Sequence, residues 1–173
     1  MKMIFVVSLF LSASAVHALD LEPTFQRKLK GSFKSKIQLA LENLETVLAS
    51  PEFYERVASI KSYTCMDSHS NGVTLARQVA PYLKKAKISF SLRSYWGWSA
   101  VAATEGSVIS LNKRYKKNSV NAWSNTLIHE ILHAGGFGHC GLNDISRYPH
   151  ILEAVPYKVG DVVEEMLDEL EED

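Results

Sequence analysis

One stretch of eleven residues constrains this chain more than any other part of its sequence. Residues 129–139 read His-Glu-Ile-Leu-His-Ala-Gly-Gly-Phe-Gly-His, the pattern H-E-x-x-H-x-x-G-x-x-H. The stretch lies in a helical repeat of apolar residues formed by Val120, Trp123, Leu127, Ile131 and Ala134. We therefore predict a helix over about 118–135 that ends at the paired glycines Gly135 and Gly136.

The spacing of the three histidines suits a metal site. Residues four apart on a helix lie about 40° apart around the axis, so His129 and His133 can direct two imidazoles at one ion. Glu130 is rotated about 100° from His129, which lets it reach a water on that ion without binding the ion itself. Gly136 allows backbone angles that residues with a Cβ avoid, so the chain can turn and bring His139 back as a third ligand. Three neutral nitrogens with an open fourth position are typical of a catalytic zinc site.

These residues resemble the zinc-binding signature of the metzincin clan of metallopeptidases. The resemblance implies one zinc ion per chain, bound by His129, His133 and His139, with Glu130 as general base in the hydrolysis of a peptide bond. It also implies an α+β fold, with a twisted, mostly parallel mixed sheet, an antiparallel edge strand along the cleft, and helices packed on the sheet. The motif match covers eleven residues, and the order of elements extends it loosely to about residues 88–157.

The chain departs from the clan in one place. Metzincins have a methionine in a tight turn beneath the zinc, often followed by a tyrosine, and the corresponding residues here are Ala154-Val155-Pro156-Tyr157. Pro156 stands near the place of the methionine, and Met166 falls on the apolar stripe of a later helix. Tyr157 has two interpretations, because it could stabilise an oxyanion, as in some metzincins, or simply pack in the interior.

Outside the motif, the pattern predicts one α+β domain over residues 19–173. Apolar residues at helical spacing predict helices over 32–48, from Pro51 onwards, over 73–85 with an interruption at Pro81, and over 160–173. The last of these has an acidic outer face, which we interpret as a solvated surface. Residues 19 to about 31 show no clear period, and we expect them to be irregular.

Three strands are predicted directly before the motif helix. Ile88, Phe90 and Leu92 alternate with polar residues, as in a half-buried strand. Two more strands are predicted over 98–103 and 107–112, joined by a tight turn at Glu105-Gly106. By position, 98–103 would be the edge strand that offers backbone groups to an extended peptide.

The first eighteen residues have the features of a secretory signal peptide. A basic start at Lys2 leads into the apolar run 4–11 and then into small residues that end at Ala18. The run is too short to span a bilayer, which takes about 20 residues, although an uncleaved anchor is the alternative. We therefore expect residues 19–173 to form a secreted or periplasmic protein.

Export changes the interpretation of the two cysteines. In an oxidising compartment two cysteines more often form one disulfide, so we expect a bond between Cys65 and Cys140. That bond would tie the loop of the third ligand to the loop 64–72. Two alternatives remain, with Cys65 blocking the metal in a latent form or Cys140 acting as a fourth ligand, although the sequence around Cys65 does not match the latency motif of matrixins. We expect His69 and His150 to lie at the surface.

Charge and composition exclude several classes of function. The chain has 19 Lys plus Arg and 19 Asp plus Glu, without the basic excess that nucleic-acid binding usually leaves. Its hydrophobic fraction of 46% is typical of a globular protein and too high for a disordered one. We expect a monomer that acts on a peptide or protein substrate, with no nucleic-acid partner and no membrane partner after signal cleavage. Two other functions stay open: a secreted zinc-binding module without turnover, and a narrow amidase or cell-wall peptide hydrolase.

Overall fold

A computed structural model describes residues 20–26, 28–60, 72–84, 87–97, 100–139 and 154–172. In chain order the elements are β1 (Asp20–Phe25), α1 (Gly31–Ala49), α2 (Pro51–Ser59), α3 (Gly72–Leu83), β2 (Lys87–Tyr95), β3 (Ala102–Glu105), β4 (Val108–Asn112), a 3₁₀ turn (Lys113–Tyr115), α4 (Val120–Ala134) and α5 (Val155–Glu172). The predicted signal peptide, both cysteines of the predicted disulfide, His69 and His150 lie outside the described residues.

The four strands form one mixed sheet, which confirms the predicted α+β fold. Their order is β1-β2-β4-β3, and the sheet is parallel except at β3, which runs antiparallel to β4 at the edge. The predicted tight turn is present after β3, where Gly106 adopts a φ of 58°. An antiparallel edge strand therefore precedes α4 in the chain, with β4 and the 3₁₀ turn between them.

The edge strand lies later in the chain than predicted. It spans Ala102–Glu105, whereas the prediction was 98–103. Asn112 binds the described residues before it through both its side chain and its backbone. Its buried amide group donates hydrogen bonds to the carbonyls of Gly97 (3.1 Å) and Ala100 (2.8 Å), and its backbone N–H donates to the carbonyl of Val101 at 2.9 Å. These bonds satisfy carbonyls that precede the strand.

The expectation that residues 19–31 are irregular was wrong. Strand β1 pairs in parallel with β2, from Asp20 opposite Lys87 to Phe25 opposite Leu92. It lies at the other edge of the described sheet, a position that tolerates Pro23 because an edge strand leaves half of its backbone unpaired. The partner strand is more than sixty residues away in the sequence, so no local sequence pattern predicts the pairing.

The predicted helices are all present, and two of them differ in extent from the prediction. Helix α2 begins at Pro51, where the Ser50 hydroxyl accepts a hydrogen bond from the Glu52 amide at 3.2 Å. The predicted interruption at Pro81 was wrong, since helix α3 continues through it to Leu83. Pro81 lies in the last turn, where its missing N–H removes only one helical hydrogen bond. Helix α5 begins at Val155, five residues before the predicted start, because Pro156 is tolerated in the first turn of a helix.

Helix α4 occupies the centre of the molecule and packs against α1, α5 and β3. Its Trp123 is fully buried beside Phe33 of α1, with ring centroids 5.4 Å apart. A hydrogen bond also joins α4 to α1, since the Ser124 hydroxyl donates to the carbonyl of Ala40 at 2.9 Å. Helix α4 is thus a rigid support for the residues on its last two turns.

In the part of the chain that the structure describes, no helix is long and apolar enough to cross a membrane.

Candidate metal centre

The three histidines of the sequence motif meet at one point. The Nε2 atoms of His129, His133 and His139 lie 3.1 Å from one another in all three pairs. Nitrogens bound at about 2.0–2.1 Å to a tetrahedral zinc are about 3.3–3.4 Å apart, close to the observed spacing. The cluster could therefore hold a metal ion.

Hydrogen bonds to backbone carbonyls orient two of the rings. The Nδ1 atom of His133 lies 2.7 Å from the carbonyl oxygen of Phe137, so this nitrogen carries the proton and donates it. His129 hydrogen-bonds the backbone of Pro156, and the acceptor is the carbonyl because proline has no N–H. With the outward nitrogens acting as donors, the Nε2 lone pairs of His129 and His133 face the centre of the cluster.

The turn after α4 brings the third histidine back, as the glycine pattern predicted. Gly136 adopts a φ of 90°, in the left-handed region that favours glycine. The turn is closed by hydrogen bonds from the Gly136 amide to the His133 carbonyl and from the Phe137 amide to the Leu132 carbonyl, both 3.0 Å long. This geometry places Phe137 where its carbonyl can orient His133.

Burial disfavours the protonated form of two histidines of the cluster, His129 and His139. Burial lowers the pKa of His129 to about 3, reinforced by the neighbouring charges of His133 and His139, while the hydrogen bond to Pro156 opposes the shift. Burial also lowers the pKa of His139, as does the charge of His133. Neutral imidazoles are the form that binds metal ions, so the lowered pKa values of His129 and His139 favour cation binding.

Glu130 lies beside the cluster, buried and not among the three donors. Its Oε2 atom accepts a hydrogen bond of 2.7 Å from the hydroxyl of Thr104 on β3. Burial raises the pKa of Glu130 above its usual value, outweighing the hydrogen bond from Thr104 and the charge of His133, which lower it. A carboxyl group with a raised pKa beside a metal site is suited to accept and return a proton.

Tyr157, in the first turn of α5, lies against the cluster. Its ring centroid is 4.4 Å from that of His129, and it stacks on His139 at 4.9 Å with an interplanar angle of 17°. Burial raises the pKa of Tyr157, and the negative charge of Glu130 raises it further. The hydroxyl therefore keeps its proton and can act as a hydrogen-bond donor at the site.

The cluster opens into a cavity of about 760 Å³. Residues 100–104, which include most of β3, form one wall, and the wall opposite is built from α4, the turn after it and Tyr157. The edge strand thus runs along the cavity that contains the histidines, although its bounds differ from those predicted. The arrangement provides room for an extended chain next to the candidate metal ligands.

Two residues that the sequence analysis did not single out belong to the site. Thr104 contacts Glu130, and the Tyr82 hydroxyl donates a 3.0 Å hydrogen bond to the carbonyl of Ile131, one turn before the end of α4. A lone threonine in a strand and a lone tyrosine in a helix carry no sequence signal of such roles.

No family model, curated protein or solved structure matches the chain.

Proposed function

We propose that the chain is an exported zinc-dependent metallopeptidase of metzincin type. The observation that carries the proposal is the meeting of three histidine nitrogens beside a buried glutamate in an open cleft. Within the described ranges, the cluster holds three donors and no fourth Cys, His or carboxylate ligand. A structural zinc site is closed by four protein ligands, whereas three leave a position for water.

Zinc is the metal that the donor set favours. Three imidazole nitrogens suit zinc better than magnesium or calcium, which prefer oxygen ligands. The burial that lowers the pKa of His129 removes proton competition for the ion at neutral pH. When bound, zinc would lower the pKa of a water at its open position and polarise the substrate carbonyl.

The residues of the chain would carry the proton and orient the substrate. Glu130 accepts a proton from the attacking water and donates it to the leaving amine, which its raised pKa favours. Tyr157 donates a hydrogen bond to the oxyanion that develops on the substrate, since its hydroxyl is protonated and its ring lies on the histidines. The backbone of β3 binds an extended peptide as an added strand.

Export and the disulfide belong to the same proposal. The signal-peptide features of residues 1–18 support a secreted or periplasmic location. An oxidising compartment in turn favours the bond between Cys65 and Cys140, next to the third ligand in the sequence. The partner is a peptide or protein substrate.

The test combines zinc content with digestion of casein by the purified protein. We compare the wild type with Glu130→Gln, which keeps the shape of the side chain and removes the base. Glu42→Gln serves as the matched control, because Glu42 is an exposed glutamate on α1. We expect one zinc per chain in all three proteins and a loss of activity of at least about 100-fold in Glu130→Gln alone.

Each other result has a defined meaning. Comparable activity in Glu130→Gln refutes the mechanism. One zinc and no cleavage by the wild type, across a broad peptide library, favours a zinc-binding module without turnover. Cleavage restricted to amides or cell-wall peptides replaces the peptidase with the narrower hydrolase, and absence of zinc refutes the assignment of the site.

A further inference from the structure

Thr104 joins the edge strand to the proposed general base. Along β3 the residues alternate between two faces, with Ala102 buried, Ala103 exposed, Thr104 partly buried and Glu105 exposed. Thr104 and Ala102 therefore face the interior, where β3 packs against α4. This register places the threonine hydroxyl over the first turn of the metal motif.

The hydroxyl of Thr104 reaches two oxygens of the same residue. It lies 2.7 Å from Oε2 of Glu130 and 3.1 Å from the backbone carbonyl oxygen of Glu130. A hydroxyl has one hydrogen, and an ionised carboxylate is the stronger acceptor, so the hydrogen points at Oε2. No other described residue hydrogen-bonds the Glu130 carboxylate, which leaves Oε1 for a substrate water.

We propose that Thr104 is a positioning residue that holds the Glu130 carboxylate beside the three-histidine cluster. The inference deepens the proposed function and rests on it. Without the hydroxyl, the glutamate side chain would be free to change rotamer and would spend less time with an oxygen in line with the attacking water. Threonine suits this task because its β-branched side chain is restricted at χ1 and is favoured in strands.

A hydroxyl can also serve both forms of the glutamate during turnover. While Glu130 is ionised, the Thr104 hydroxyl donates its hydrogen to Oε2. Once Glu130 has taken a proton from water on Oε1, Oε2 is still an acceptor and keeps the hydrogen bond from the threonine hydroxyl. The proton stays on Oε1 until it passes to the leaving amine, so Thr104 neither gains nor loses a proton.

The test compares Thr104→Val and Thr104→Ser with the wild type, using zinc-loaded protein and fluorophore-labelled casein. Valine keeps the branched shape without the hydroxyl, and serine keeps the hydroxyl. We expect Thr104→Val to lower kcat about 10- to 100-fold, with KM and zinc content unchanged. Thr104→Ser should stay within several-fold of the wild type. Thr46→Val is the control, because the exposed Thr46 hydroxyl donates to a helix carbonyl, that of Glu42.

A second readout does not depend on activity. A double-mutant cycle of Thr104→Val and Glu130→Ala, followed by urea unfolding of the zinc-loaded protein, measures the side-chain contact itself. We expect the effect of the double substitution on the unfolding equilibrium constant to differ about fivefold or more from the product of the two single effects.

The two readouts separate the inference from the proposed function. Wild-type kcat in Thr104→Val, an equal loss in Thr104→Ser, or an additive cycle would overturn the role of Thr104. If the wild-type protein cleaves no substrate, the proposed function fails, and the cycle alone decides whether Thr104 holds Glu130.

Discussion

Gly135 offers a sharp test of the packing that ends α4. Its φ of −79° and ψ of −2° are helical values that any residue adopts, so the backbone does not require glycine. Judged by the backbone alone, Gly135→Ala should stabilise the protein by about 0.4–1 kcal/mol, by restricting the unfolded chain. A Cβ at this position would nevertheless lie 2.6 Å from Cζ and 2.7 Å from Cε1 of Tyr82, well inside contact distance.

The tyrosine ring is restrained on two sides. Its hydroxyl donates to the carbonyl of Ile131 at 3.0 Å, and its ring packs against Phe137 with centroids 6.0 Å apart. Overpacking of a restrained contact costs about 1–3 kcal/mol. After subtraction of the backbone gain, we expect Gly135→Ala to lower the free energy of unfolding by about 1–2 kcal/mol.

The assay is urea unfolding of the metal-free protein in a double-mutant cycle. In the Tyr82→Ala background the obstacle is gone, so the same Gly135→Ala change should stabilise by about 0.4–1 kcal/mol. The coupling between the two positions is then about 2 kcal/mol. Gly138→Ala is the control, because no atom of the described residues, its chain neighbours aside, lies within 4 Å of its added Cβ. A stabilising Gly135→Ala in the wild-type background would refute the reasoning.

Three further predictions concern the same end of the molecule. Metal-free protein should lose up to about 2 kcal/mol of stability between pH 6.5 and pH 5. The reason is that His129, with a folded pKa of about 3, takes up its proton only after unfolding, and the loss continues towards that pH. Glu130 has a raised pKa and opposes this loss of stability, so Glu130→Gln should make the loss steeper. Urea titrations across this pH range, in the presence of a chelator, check both predictions. A free energy of unfolding that does not change with pH would contradict them. Gly136→Ala, at a φ of 90°, should destabilise by about 1–3 kcal/mol and weaken zinc binding, measured with a competing chelator; unchanged affinity would refute the strain argument.

The sequence predicted the helices and the three-histidine cluster because both depend on local spacing. Helix α1 and helix α4 each carry a continuous apolar stripe, and the three histidines lie within eleven residues. Gly136 was predicted to release the chain from the helix, and its positive φ confirms this.

What the sequence did not predict depends on contacts between distant segments. Strand β1 has a mixed polar and apolar sequence and becomes a strand only through pairing with β2. The amide of Asn112 bonds the carbonyl of Ala100 just before β3, and the contact of Thr104 with Glu130 joins residues 26 positions apart. Tyr82 reaches Ile131 across 49 positions. None of these pairs leaves a periodic signal, because each depends on how the elements pack.

The origin of all three donors in one short stretch has a consequence for how the proposed zinc ion would be acquired. Closing a loop of about ten residues costs little chain entropy, so the unfolded chain would retain some affinity for zinc at residues 129–139. Affinity of the unfolded state reduces the stabilisation that a ligand confers, so zinc would stabilise the fold less than its affinity for the folded protein implies. On the proposed function, capture of the ion would then precede folding, and β3 and α5 would pack around a cation already bound.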